Sequence, residues 1–298
     1  MGWLWAVFTV VAAGGQTLRN AMQRELITTL GTVGATQVRF LFGLPFALLF
    51  LLAALATTGE PFPRLTPAML AWTLAGASSQ IAATALLLMA MRDKSFVLVT
   101  SLIKIEPVHV ALFGLLFLGD RLSVPLVVAI IIATTGVVIM SWPKQLDAVM
   151  SSGGFKPIVH GLLSGAMFAI SAVTYRGGIL SLDSHYFMVN VTASLVTGLT
   201  MQVVAISLYL LLFDRKTMLA IVRAWRPSLL AGFLGGFASL MWAAALALET
   251  AAKVRTLALV EILFAGLISR SLFKQSFASR ESLGIGLIIV GVMILLNL

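Results

Sequence analysis

The chain has 298 residues, of which 60% are hydrophobic and 10% charged, with a formal net charge of +9 and no cysteine. Soluble domains carry about 25% charged residues, so a water-soluble fold is excluded, and the lack of cysteine excludes a disulfide framework and thiolate chemistry. A net charge of +9 in a soluble protein would point to nucleic acid, but these cations sit mostly between apolar segments, where they set membrane topology, and no nucleic-acid partner is expected.

A membrane-spanning helix takes roughly 20 mostly apolar residues. Apolar runs between polar or Gly/Pro punctuation place five spans at residues 2–18, 34–56, 68–91, 96–118 and 125–142. The first follows Met1-Gly2-Trp3-Leu4-Trp5 without a basic leader and is read as a retained span, not a cleaved signal. After Pro143-Lys144, a hydrophilic stretch through Ser151-Ser152-Gly153-Gly154 precedes five more spans at 158–175, 186–213, 228–248, 254–273 and 283–298. The chain therefore reads as an all-α integral membrane protein with ten transmembrane helices. Its expected organisation is a five-helix repeat at 1–143, a linker at 144–154 and a second five-helix repeat at 155–298.

A shift of 155 residues aligns Ala90 with Ala245, Glu106 with Glu261, Leu118-Gly119-Asp120 with Phe273-Lys274-Gln275, and Gly136 with Gly291. Because each repeat has an odd number of spans, consecutive copies enter the membrane from opposite sides, an inverted repeat with a site expected between the halves. The connections after odd-numbered spans hold 13 Lys and Arg and those after even-numbered spans hold four, which favours both termini outside the cytoplasm.

Glu106 and Glu261 fall near the centres of spans four and nine, at equivalent repeat positions. An ionisable group at mid-bilayer costs about 2.5–3.5 kcal/mol on insertion scales and is normally aimed at a polar cavity or a partner. Each glutamate is thus a candidate proton carrier or counter-charge, set against a purely structural ion pair. Pro107 removes a backbone donor and is expected to kink span four. His109 shares a helical face with Glu106 and is a candidate proton relay, set against a lone hydrogen-bonded histidine. Lys104 is about 200° around the helix from Glu106 and points elsewhere unless the proline distorts the turn. It meets a neighbouring span, snorkels to an interface or meets substrate.

Arg39 and Arg255 are expected near a cavity mouth. There a guanidinium can clamp a carboxylate or phosphate with two parallel hydrogen bonds; the alternative is an interfacial anchor, favoured for Arg255. Gln16, Gln80 and Asn190 are polar residues inside spans that can line a cavity or link helices. Trp242 and Tyr175 can wall a pocket or face lipid. The glycine phrases at 232–236 and 284–291 read as packing sites. His109, His160 and His185 are far apart, and HExxH and Walker A patterns are absent, so neither metal nor cofactor is expected.

Arg39-Phe40, Glu106-Pro107-Val108, Leu118-Gly119-Asp120-Arg121-Leu122 and Gly136-Val137 together resemble the drug/metabolite transporter superfamily, specifically ten-span proteins with two EamA-type domains. They are similar to that family's E-P-V and L-G-E-R-L patterns, each followed by a glycine in the next span. The second repeat departs from the pattern: Ile262 follows Glu261, and Phe273-Lys274-Gln275-Ser276 replaces the acidic loop. The resemblance implies a central cavity lined mainly by spans three, four, eight and nine, plus one and six, alternating access, and commonly export of amino acids or related metabolites. It also implies cytoplasmic termini, contrary to the charge count.

The leading expectation is a secondary transporter of a bacterial inner membrane for a small zwitterionic or anionic metabolite, acting as a monomer or homodimer in the lipid bilayer. Arg39, Lys104 and Arg255 would supply positive charge, and Glu106 and Glu261 would couple protons or hold an amino group. The alternatives are a proton/organic-cation antiporter and a membrane receptor or assembly subunit without transport.

Overall fold

The computed structural model describes residues 2–93, 103–141, 156–262 and 279–298. Among the described residues the protein is α-helical and contains no strand. The expected linker at 144–154 and the segment Phe273-Lys274-Gln275 lie outside them.

In chain order the helices are α1 (Leu4–Leu41), α2 (Leu44–Thr58), α3 (Pro67–Asp93), α4 (Glu106–Phe113) and α5 (Val124–Ser141), with a π-helical turn, Gly114–Leu118, extending α4. Then follow α6 (Lys156–Leu180), α7 (Phe187–Phe213), α8 (Arg215–Arg223), α9 (Trp225–Leu248), α10 (Ala251–Leu257) and α11 (Ser279–Leu296). Helix is the required state here, because in hydrocarbon every backbone donor and acceptor has to be satisfied within its own segment. Among the described residues five stretches are long and apolar enough to cross a membrane: Leu4–Thr58, Pro67–Met91, Ile158–Leu180, Phe187–Phe213 and Ser228–Leu248. Large apolar side chains such as Leu52, Leu116, Val124 and Phe213 are more than half exposed, as befits surfaces that meet lipid. The described parts of all ten expected spans are largely helical.

The first of these stretches is 55 residues long, far beyond what one crossing needs. It reverses at Gly31, whose backbone (φ 66, ψ 178) lies in a region open essentially to glycine alone. Gln23 Nε2 donates to the Ala35 carbonyl at 2.9 Å, although twelve residues of straight helix would separate those groups by about 18 Å. The segments on either side of Gly31 therefore run back along one another. This corrects the expected loop between spans one and two: residues 19–30 continue the first helix inward, and Arg19, Asn20 and Gln23 are buried in it. Arg176 likewise lies inside α6 and not in a connection. Arg19 and Arg24 on one side of the topology count and Arg176 on the other thus lie inside helices, and the direction of its bias stands.

The most extensive helix pairings are α3 with α6, α1 with α9 and α5 with α11, followed by α2 with α7 and α4 with α6. Each brings an element from the first 143 residues against one from the last 144. Glycine makes the α5–α11 contact close. A Cβ on Gly136 would stand 2.6 Å from the Gly284 carbonyl oxygen, and one on Gly291 would stand 2.7 Å from Ala133 Cβ. Backbones that near one another gain dispersion contacts, the main attraction between helices in lipid.

Candidate functional site

The helix carrying Glu106 starts at that residue. Lys104 and Ile105 form a turn, and Pro107, near the N-terminus of α4, needs no helical donor. A comparable interruption, at Ala258-Leu259, precedes Glu261 without any proline in that sequence. Such breaks free backbone groups and change the direction of side chains, so the helical wheel does not apply across them. This explains why Lys104, expected to point away from Glu106, turns inward and pairs with the Glu261 carboxylate.

Glu106 and Glu261 are both buried, at 6% and 3% exposure. Arg255 Nε stands 3.1 Å from Glu106 Oε1, and the Thr17 hydroxyl donates to Glu261 Oε1 at 2.6 Å. Each glutamate therefore pairs with a cation from the opposite half of the chain. A buried ion pair of this kind adds little net stability, since desolvation offsets the attraction, but removing one partner leaves a charge stranded.

Two adjoining cavities meet at Gln16 and Phe168. The larger, about 560 Å³ with its open mouth included, is walled by Arg39, Gln80, Tyr175, Trp242 and Arg255 among others, and by no carboxylate among the described residues. The smaller, about 310 Å³, holds Asn20, Lys104, Glu106 and Glu261. Arg255 belongs to both neighbourhoods: it pairs with Glu106, and its guanidinium carbon lies 4.1 Å from the centre of the Trp242 ring. Trp242 Nε1 in turn donates to Gln16 Oε1 at 3.1 Å, fixing the indole plane. Gln202 donates to Gln80 Oε1 at 2.9 Å, and Arg39 Nη1 donates to the Thr84 hydroxyl at 2.9 Å.

Of the residues singled out from sequence, Gln16, Arg39, Gln80, Lys104, Glu106, Tyr175, Trp242, Arg255 and Glu261 all come to these two cavities. Arg39 and Arg255 are 2% and 7% exposed, which corrects the interfacial-anchor reading favoured for Arg255. His109 lines neither cavity and stacks on Phe113 with ring centres 6.3 Å apart. Asn190 accepts from the Ser184 backbone N–H and donates to the Ser184 carbonyl, tying the approach to α7.

Sequence reasoning missed Arg19, which is fully buried and donates to Asn20 Oδ1 at 2.7 Å. The signal was present: Gln16, Arg19, Asn20 and Gln23 recur at helical spacing and form one polar stripe on α1. It also missed the Asp120–Arg176 pair at 2.9 Å, with the two side chains 10% and 14% exposed. Arg176 Nε donates further to the Glu249 carbonyl. Gly119 makes this possible by taking φ 66 after the π-helical turn.

Residues 1–142 and 156–297 both match the sequence profile of the EamA-like transporter family. A solved crystal structure of another protein is similar over 98% of this chain and 95% of its own, with a TM-score of 0.68 at 13% identity. At that identity the likeness shows the fold alone. No curated protein matches the sequence at a significant level.

Proposed function

We propose that the chain, which belongs to the EamA-like transporter family, moves a small zwitterionic or anionic organic metabolite across the inner membrane of a bacterium by alternating access. Family membership makes it a multi-pass membrane transporter of the drug/metabolite type. The finer reading is ours: ten crossings in two inverted repeats, with the substrate held between them and export as the working direction. One chain supplies every wall residue named above, so a monomer suffices.

The observation that carries this reading is the larger cavity, which has Arg39 and Arg255 in its wall and no carboxylate among the described residues that line it. Guanidinium groups remain protonated and grip carboxylates through two parallel bonds. An organic cation would meet like charge there, and both buried glutamates are already taken by Lys104 and Arg255. An anion leaving a cell whose interior is negative also gains about 2.3 kcal/mol per charge per 100 mV, which favours export.

Glu106 is the coupling group in this scheme. Ionised, it holds Arg255; protonated, it releases Arg255 to the substrate carboxylate. Purified protein in proteoliposomes should carry labelled organic or amino acids in response to a pH gradient, and Glu106→Gln should abolish the gradient response. Unchanged gradient-driven flux in that variant would remove Glu106 from the coupling role, and flux of organic cations alone would overturn the substrate class.

A further inference from the structure

The buried charged side chains among the described residues do not balance. Arg19, Arg39, Lys104 and Arg255 face only Glu106 and Glu261. Two of the cations are neutralised in ion pairs, Lys104 with Glu261 and Arg255 with Glu106. Arg19 and Arg39 have neutral partners only: Asn20 for the first and Thr84 for the second. Leaving a cation in a low-dielectric interior costs several kcal/mol even after relaxation, and two such charges side by side raise that cost.

These two arginines are neighbours. A Cβ on Gly235 would stand 3.1 Å from Arg39 Cγ and 3.6 Å from Arg19 Cδ, so both side chains lie along the same bare patch of α9. The charges within reach of Arg19 are Arg39, Glu261 and Arg255, and the single anion among them is bound by Lys104. Arg19 Nε and Nη1 and Arg39 Nε are buried without a hydrogen-bond partner. A guanidinium offers five N–H donors and no acceptor, and a ligand with two anionic oxygen groups matches both their charge and their geometry. Asn20, bonded to Arg19, lines the smaller cavity, and Arg39 lines the larger one. Arg19 itself is in the lining of neither cavity and lies behind the wall, beside Arg39 and Asn20.

We infer that the transported substrate is a dianion whose two negative charges are received by Arg19 and Arg39, with Arg255 joining one of them once Glu106 is protonated. The inference rests on the transport reading above and makes its substrate class specific: two charges on oxygen, from either a dicarboxylate or a phosphate monoester. Arg19 is then a substrate-binding residue, contributed by the helix that sequence patterning ends too early.

The test measures ligand-induced stabilisation of the full-length protein in detergent, using succinate, glycerol phosphate, butyrate and a quaternary ammonium ion as probes. A ligand that binds only the folded state raises its apparent stability, so this readout is independent of flux. One or both dianions should bind at least about tenfold tighter than butyrate, the weight of one charge-assisted hydrogen bond, and which of them binds identifies the source of the two charges. Arg19→Gln should remove that preference by weakening dianion binding more than butyrate binding, and Arg19→Lys should restore part of it.

Equal binding of dianions and butyrate by the unaltered protein would overturn the inference, as would an Arg19→Gln protein that still prefers dianions. Should the variant fail to fold, the unaltered protein decides by pH: glycerol phosphate affinity should fall as its second ionisation, near pH 6, is reversed, and a flat profile with no succinate preference would refute the inference. Dianion binding without flux in proteoliposomes would instead sink the transport reading and leave this site standing.

Discussion

Arg255 lies between Glu106 and Trp242: its Nε stands 3.1 Å from the carboxylate and its guanidinium carbon 4.1 Å from the indole centre. The aromatic face keeps the cation in place whether or not the carboxylate is ionised. A cation over an aromatic ring is worth roughly 0.5–2 kcal/mol depending on desolvation, while loss of a buried ionic partner costs about 3–5 kcal/mol. The pair can therefore exchange without Arg255 leaving its seat.

Removing one member of the Glu106–Arg255 pair should be much worse than removing both. Glu106→Gln or Arg255→Gln alone is expected to destabilise the protein by about 3–5 kcal/mol, and the double variant to recover a large part of that loss. Unfolding in detergent across the four proteins gives the coupling, and strictly additive losses would show that the two charges act independently.

Trp242→Phe keeps a ring beneath Arg255 and deletes the donor to Gln16. Substrate affinity should fall by the worth of one hydrogen bond, about 0.5–1.5 kcal/mol, with the fold intact. Trp242→Ala should lose the cation contact as well. Ligand-dependent thermal shifts compare the two, and equal behaviour would place the indole outside the binding wall.

The reversal at Gly31 makes a backbone prediction. With φ 66 and ψ 178, alanine there should cost roughly 1–3 kcal/mol although a Cβ would meet nothing within 4 Å. The loss is conformational and not steric, so Gly31→Ala and Gly31→Ser should destabilise alike. A loss that scales with side-chain size would contradict this.

Asp120 and Arg176 tie the end of the π-helical turn to α6. Asp120→Asn should remove about 1.5–3 kcal/mol, the usual worth of a hydrogen bond to a charged group, and loosen the turn without altering ligand selectivity. Amide exchange at residues 114–120 reads the first effect and binding of the succinate probe the second.

Asp214 offers a pH test at the exposed start of α8. Hydrogen bonds from the Thr217 hydroxyl, and then from its backbone N–H, hold this carboxylate below its ordinary value of 3.8. A depressed folded value means that the cap is fully effective above 3.8 and is lost as pH falls through the lower folded value. Amide exchange at Thr217 should accelerate in that acid window, and Asp214→Asn, which still accepts the bond, should abolish the dependence.

Much of the site was legible in the sequence because charge inside an apolar run is conspicuous. Glu106, Glu261, Arg39 and Arg255 stand out for that reason, and Gln16, Gln80 and Trp242 follow from their place within spans. What escaped depended on backbone geometry. Lys104 cannot be aimed from sequence because a helical wheel assumes a continuous helix, and the turn at 104–105 breaks it. Arg19 passed for a loop cation because a polar stripe with an arginine looks like the end of a span; only the chain reversal at Gly31 shows that the helix continues. Arg176 was assigned to a connection for the same reason, and its partner Asp120 sits in a motif whose turn geometry no periodicity reports.

The cross-chain pairing also has a temporal side. Lys104 and its carboxylate partner are separated by 157 residues of sequence, which a ribosome making 5–20 residues per second adds in roughly 8–30 s. Throughout that interval the nascent first half carries a lysine and a glutamate whose final counter-ions have not been synthesised. Early segments must therefore be sheltered at the insertion site or held by a membrane chaperone until residues 255 and 261 emerge, and chains truncated before them should be short-lived substrates for membrane proteolysis.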